Sequence, residues 1–147
     1  MTRASGAWRG FCRLDGADRT LVLEAAFLIV TILAGLRIVR YSVLCRWLNR
    51  PASRRPRRHA PVARVAWAIS AVTHRVPGTT CLVRALAADT MLRRRGYQPE
   101  VRFGVRDPAV RRHPIEAHAW VECEGAVVVG AIEDLTDYLV LSAPGRS

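Results

Sequence analysis

The sequence predicts an α+β fold, helices first and then a small antiparallel sheet. Two observations carry that reading. Apolar residues recur at helical spacing up to Gly96 and alternate at strand spacing after it. The pair Glu124–Gly125 sits between two of the alternating runs and reads as a tight turn, which makes those strands antiparallel neighbours. At 147 residues the chain is long enough to bury a core without staples. It divides into a helical N-terminal region, 1–61, and a core region, 62–147.

The first twenty residues form a short polar lead-in, with Asp18 or Thr20 placed to cap the helix that follows. Residues 21–48 are the most apolar stretch. Glu24 interrupts it early and Arg37 late, leaving an apolar run from Ala25 to Leu36. That run is about half of the ~20 residues a membrane span requires. It reads as one or two buried helices, with a helix seated on a partner or on a membrane surface as the alternative. Residues 49–61, "NRPASRRPRRHAP", hold three prolines and five arginines and read as a linker.

Helical periodicity returns at Val62. Val65, Ala68, Ile69, Val72 and Val76 fall on one face. "VPGTT" breaks the chain, and Thr79 or Thr80 is a good N-cap for a helix opening at Cys81. That helix buries Leu82, Ala85, Leu86 and Met91 or Leu92; arginines 93–95 complement its negative end, and Gly96 stops it. "EVRFGV", "IEAHAWVEC" and "AVVVG" are the strands that follow.

Composition narrows the function. The net charge is +11, and all 23 basic residues are arginine. Such a surface favours acidic partners: nucleic acid, anionic lipid, or an acidic peptide or protein. No zinc-finger spacing, aromatic RNA platform or recognition helix accompanies the charge, so nucleic acid is not the expected partner. Cys12, Cys45, Cys81 and Cys123 are scattered, with no CxxC pair and no signal peptide. They read as free thiols in a reducing cytosol, and no metal or cofactor site is expected.

Two residues stand out chemically. Cys81 opens a helix, where unpaired N–H groups and the positive dipole end favour a thiolate; the alternative is a small buried hydrophobe. In the strand "IEAHAWVEC", Ile115, Ala117, Ala119, Val121 and Cys123 make a core face, and Glu116, His118, Trp120 and Glu122 make the polar one. Cys123 therefore points away from His118. His59, His74 and His113 receive no role. A helix-start cysteine with a histidine on a later strand is the layout of nucleophilic acyl transfer, in which a carboxylate or amide commonly orients the imidazole.

"PGTTCLVRALAADTMLRRRGYQPEVRFGV" followed by "EAHAWVE" and a glycine turn resembles the leader peptidases of lasso-peptide biosynthesis, which belong to the transglutaminase-like, microcin-processing class of cysteine peptidases. The resemblance runs from about Asp18 to Leu141 and is most specific over Pro77 to Gly125. It implies a transglutaminase-like, papain-like core in which a Cys-bearing helix packs on the sheet. It further implies Cys81 as nucleophile and His118 as general base and acid. An aspartate is expected opposite His118. If "CEG" is a three-residue loop, register puts Gly130 there instead. Asp134 is then the favoured third member, with Glu133, Glu116 or none as the alternatives. Asp134 lies roughly 13 Å further along an unbroken strand and needs a bend at Gly130 to return.

The implied reaction is removal of the leader from a ribosomally made lasso precursor, in the cytoplasm or at the membrane surface. The implied partners are that precursor, a separate leader-recognition protein and an asparagine-synthetase-like lasso cyclase, with peripheral membrane contact as a further expectation. The alternatives are another transglutaminase-like acyl-transfer enzyme and a non-catalytic basic scaffold.

Overall fold

The computed structural model describes residues 14–48, 60–106 and 116–141. The arginine- and proline-rich run at 49–59, the polar loop at 107–115, Cys12, His59 and His113 lie outside the described residues. Among the described residues four helices precede a four-stranded antiparallel sheet, the order that the periodicity predicts. The helices are α1 (Gly16–Ile38), α2 (Tyr41–Leu48), α3 (Val62–Thr73) and α4 (Cys81–Arg93). The strands are β1 (Glu100–Arg106), β2 (Ala117–Cys123), β3 (Ala126–Val129) and β4 (Tyr138–Leu141), in the order β3-β2-β1-β4.

The apolar stretch at 21–48 is two helices. Its N-cap is neither Asp18 nor Thr20 but Asp15, whose carboxylate accepts from the Asp18 amide at 2.7 Å. Asp18 is drawn inward by Arg64 of α3, whose Nε donates to it at 3.1 Å. An acid in the first turn of a helix looks like a cap in sequence; here a guanidinium from another helix claims it.

One hydrophobic core joins the layers. Leu21, Ala25, Leu28, Ile29 and Ile32 of α1 meet Val65, Ala68, Ile69 and Val72 of α3 and the buried side of α4. The sheet adds Val101, Ala119, Val121, Cys123 and Val129. Leu82, expected inside, is only half-buried, while Val83 takes the inner position.

Arg95 does more than complement a dipole. Its side chain is 6% exposed and donates to Glu24 Oε2 at 2.6 Å and to the Met91 carbonyl at 2.9 Å. Arg94 adds an ion pair to Glu24 Oε1 at 3.5 Å. The pair clamps α1 to the end of α4. Glu24→Ala is expected to cost about 3–5 kcal/mol, because it strands a buried guanidinium, whereas Glu24→Leu with Arg95→Met is expected to be close to neutral. Urea unfolding of the two variants distinguishes a charge requirement from a packing one.

α4 ends with the Tyr97 amide reaching the Leu92 carbonyl at 3.2 Å, a Schellman closure around Gly96. Arg93 then holds Asp89 at 2.9 Å and the Pro99 carbonyl at 2.8 Å, which fixes the start of β1 to the end of the helix.

The β2–β3 connection differs from the three-residue loop expected. Cys123 pairs with Ala126, leaving a two-residue turn with φ of 54° at Glu124 and 79° at Gly125. Positive φ at both central positions is the I′ geometry that matches strand twist. Glutamate is a poor occupant of the first. Glu124→Asn is expected to add about 0.5–1 kcal/mol to unfolding stability by relieving left-handed strain, readable as a shifted urea midpoint.

Register then slips by one residue. Glu122 pairs with Val127 but Val121 with Val129, so β3 carries a bulge. β4 was not legible as a strand in the sequence. It pairs with β1 from Phe103↔Leu141 to Arg106↔Tyr138, on the edge opposite β3. Residues 131–137 therefore cross over the end of the sheet where β1 finishes and β2 begins.

Candidate active site

The sequence around Cys81 builds an open helix terminus. Thr80 Oγ1 accepts from the Val83 amide at 3.4 Å, and the Thr80 carbonyl accepts from Arg84 at 3.1 Å. Thr79 turns back to the Val76 carbonyl at 2.7 Å and tightens the preceding turn. The amides of Cys81 and Leu82 have no hydrogen-bond partner among the described residues. Two unpaired N–H groups at a helix N-terminus are suited to a developing oxyanion. Cys81 itself is a free thiol and only half-buried.

His118 belongs to the other half of the site. Alternation sends Ala119, Val121 and Cys123 into the core and leaves His118, Trp120 and Glu122 on the opposite face, whereas Ala117, expected inside, is exposed and Ile115 lies outside the described residues. Trp120, only 2% exposed, lies beside the imidazole with ring centroids 6.2 Å apart and planes 17° from parallel. Its Nε1 donates to Glu122 at 2.9 Å. Tyr138 of β4 closes the other side, with centroids 5.8 Å apart. Gly104 stands opposite His118, and a side chain there would meet the Trp120 ring at 2.9 Å. The missing Cβ makes room for the tryptophan that flanks the histidine.

The ring is oriented by the backbone. His118 Nε2 lies 2.8 Å from the Gly130 carbonyl oxygen. A carbonyl only accepts, so Nε2 carries the proton and the neutral ring keeps its lone pair on Nδ1. The two-residue turn and the bulge in β3 each move Gly130 by one residue, from the place opposite His118 to one beside Trp120, where its φ is +87°. A Cβ at residue 130 would fall 2.9 Å from the Ala119 carbonyl oxygen and 3.0 Å from Trp120 Cβ. The position that looked like an empty acid slot is the one that delivers the acceptor. A glycine ending a strand is a sequence signal of close backbone approach that was present but went unread.

No hydrogen bond joins Asp134 to the His118 ring among the described residues. Its carboxylate, about half exposed, lies 3.8 Å from Arg106 Nη2, and Glu116 lies 2.9 Å from Arg106 Nε. The bend at Gly130 exists, but the crossover carries Asp134 past β2 to the end of β1, where the guanidinium holds it. Arg106 also donates to the Tyr138 hydroxyl at 3.2 Å, and that contact, with Glu116 and Asp134 adding, raises its pKa above the ordinary value. Glu133 is exposed and makes no hydrogen bond or ion pair among the described residues. Cys123 is buried, which pushes its thiol pKa up, with Glu124 contributing. It is chemically quiet.

The helix carrying Cys81, α4, packs on the strand carrying His118, β2, and Arg93 pins the helix C-terminus to the start of β1. Cys81 is at the other end of α4, about 18 Å away at 1.5 Å per residue. No hydrogen bond joins Cys81 to His118 among the described residues.

The α+β domain thus carries a half-exposed cysteine at an open helix terminus and, on β2, a histidine held by a backbone carbonyl. The transglutaminase-like superfamily model matches residues 26–143, and the chain belongs to that superfamily. The match begins within α1 and ends after β4. No curated protein and no solved structure matches the chain.

Proposed function

We propose that the protein is a leader peptidase of lasso-peptide maturation, with Cys81 as nucleophile and His118 as general base and acid. The observation that carries the reading is the His118 Nε2–Gly130 carbonyl bond, which leaves Nδ1 as a base without a carboxylate. Superfamily membership supports thiol chemistry, and the ordered motifs "CLVRAL", "RRRG" and "AHAWVE" support the narrower assignment.

The reaction follows from these groups. Nδ1 takes the Cys81 proton, and the thiolate adds to the scissile carbonyl at the end of the leader. The Cys81 and Leu82 amides hold the oxyanion. The imidazolium passes its proton to the leaving nitrogen, which becomes the α-amine of the core peptide. Water, deprotonated by Nδ1, then adds to the thioester and frees the leader carboxylate and Cys81. A separate ATP-using cyclase consumes the released amine. The leader is acidic or is presented by a separate recognition protein, in keeping with the +11 charge.

The test is mass spectrometry of a lasso precursor incubated with the folded chain and the recognition partner, with and without a primary amine. Leader ending in a free carboxylate supports the peptidase reading. Leader joined to the added amine marks an acyl-transfer enzyme instead, and intact precursor in every mixture overturns both.

A further inference from the structure

α1 is apolar on two opposite sides. Leu21, Ala25, Leu28, Ile29 and Ile32 face the core, whereas Leu23, Phe27, Val30 and Ile38 point outward, between 55% and 82% exposed. At 100° per residue the outward set lies on one stripe, about 22 Å long at 1.5 Å per residue, with Ala34 within it. Arg37 shares the stripe at its C-terminal end, and Arg40 and Arg46 are exposed just beyond, with Trp47 61% exposed on α2. The helix is long and apolar enough to cross a membrane by length and composition. Crossing is incompatible with its packing: Asp18 and Glu24 on its other side pair with Arg64 and Arg95 of the folded domain.

We propose that α1 lies flat on an anionic phospholipid surface, its outer stripe buried in the acyl boundary and its arginines among the headgroups. Charge complementarity selects this occupant: the stripe is rimmed by arginine on a chain of net charge +11, and anionic bilayers offer the matching negative surface. A convex row of aliphatic and aromatic side chains with an exposed tryptophan and arginines at one end is the pattern of an interfacial helix. Membrane seating would fix the orientation of α1, and through the Glu24–Arg95 clamp that of α4, whose first residue is Cys81. The proposal does not depend on the peptidase reading.

The experiment is co-sedimentation of the full chain with phosphatidylcholine vesicles and with mixed phosphatidylcholine–phosphatidylglycerol vesicles at low and high salt. Wild type is expected to bind the anionic vesicles, and less so at high salt. Leu23→Glu with Phe27→Glu is expected to lose at least about tenfold in affinity, since buried apolar area is removed. Arg37→Gln with Arg40→Gln is expected to lose the preference for anionic lipid. Circular dichroism melting checks that both variants fold. Undiminished binding by the folded Leu23→Glu/Phe27→Glu variant overturns the proposal, because general basicity then suffices. Failure of folded wild type to bind also overturns it. A wild-type dimer in light scattering that ignores vesicles and is split by the same variant assigns the stripe to a second copy of the chain instead.

Discussion

Cys81→Ala is expected to remove leader cleavage, by roughly 10³-fold or more, while leaving the melting temperature unchanged. The stability half of that expectation comes from position. Cys81 is half-buried at the first residue of α4, and the helix is capped by Thr80 rather than by the thiol. Alanine keeps the helix and the free Cys81 and Leu82 amides, so substrate binding persists and only the nucleophile is lost. His118→Ala should reach a similar floor, and the double variant should fall little further, because the two groups act as one unit. Leader release rates from mass spectrometry check all three. Cleavage that survives Cys81→Ala excludes thiol catalysis and favours the scaffold reading, in which the basic surface and α1 carry the function.

The second large effect is expected at residue 130, where intuition from related triads points the wrong way. Gly130→Asp restores an acid near the register position where one was expected, yet it should damage the protein. Its backbone φ of +87° costs a non-glycine residue about 1–3 kcal/mol. The new Cβ also meets the Ala119 carbonyl oxygen at 2.9 Å, a backbone atom of a central strand that cannot swing aside. The chain must shift, and the carbonyl that accepts from His118 Nε2 shifts with it. Loss of ring orientation and tautomer in a comparable triad costs about 10⁴-fold, so a fall of 10²-fold or more is expected here. Gly130→Ala carries the same clash without the charge and separates the two causes. If Gly130→Asp is as stable as wild type and faster, the carboxylate outperforms the carbonyl and the present orientation of His118 is not the catalytic one.

Much of the architecture is local, and local features were legible. The i, i+3, i+4 row from Val65 to Val72 lies buried on α3, Thr80 caps α4 and Gly96 closes it, each decided by residues within one or two turns. The alternation in "AHAWVE" separated His118 from the core face because a strand has a fixed period of two. Helix caps were less secure where a distant charge intervened, as at Asp18.

What the sequence determined by itself is the α+β order, the helix carrying Cys81 and the face carrying His118, since propensity, capping and periodicity act between near neighbours. What the tertiary structure decided is who meets whom. The shorter turn and the bulge opposite Val121 and Glu122 each displaced Gly130 by one residue from the expected register, and such slips leave no trace in hydrophobic pattern when the strand is "AVVV". The crossover to β4 sent Asp134 to Arg106, and burial united Glu24 with Arg95, residues 71 positions apart. Ion pairs and backbone acceptors of that kind depend on the positions of chain segments brought together only by the collapsed core, and no local period encodes them.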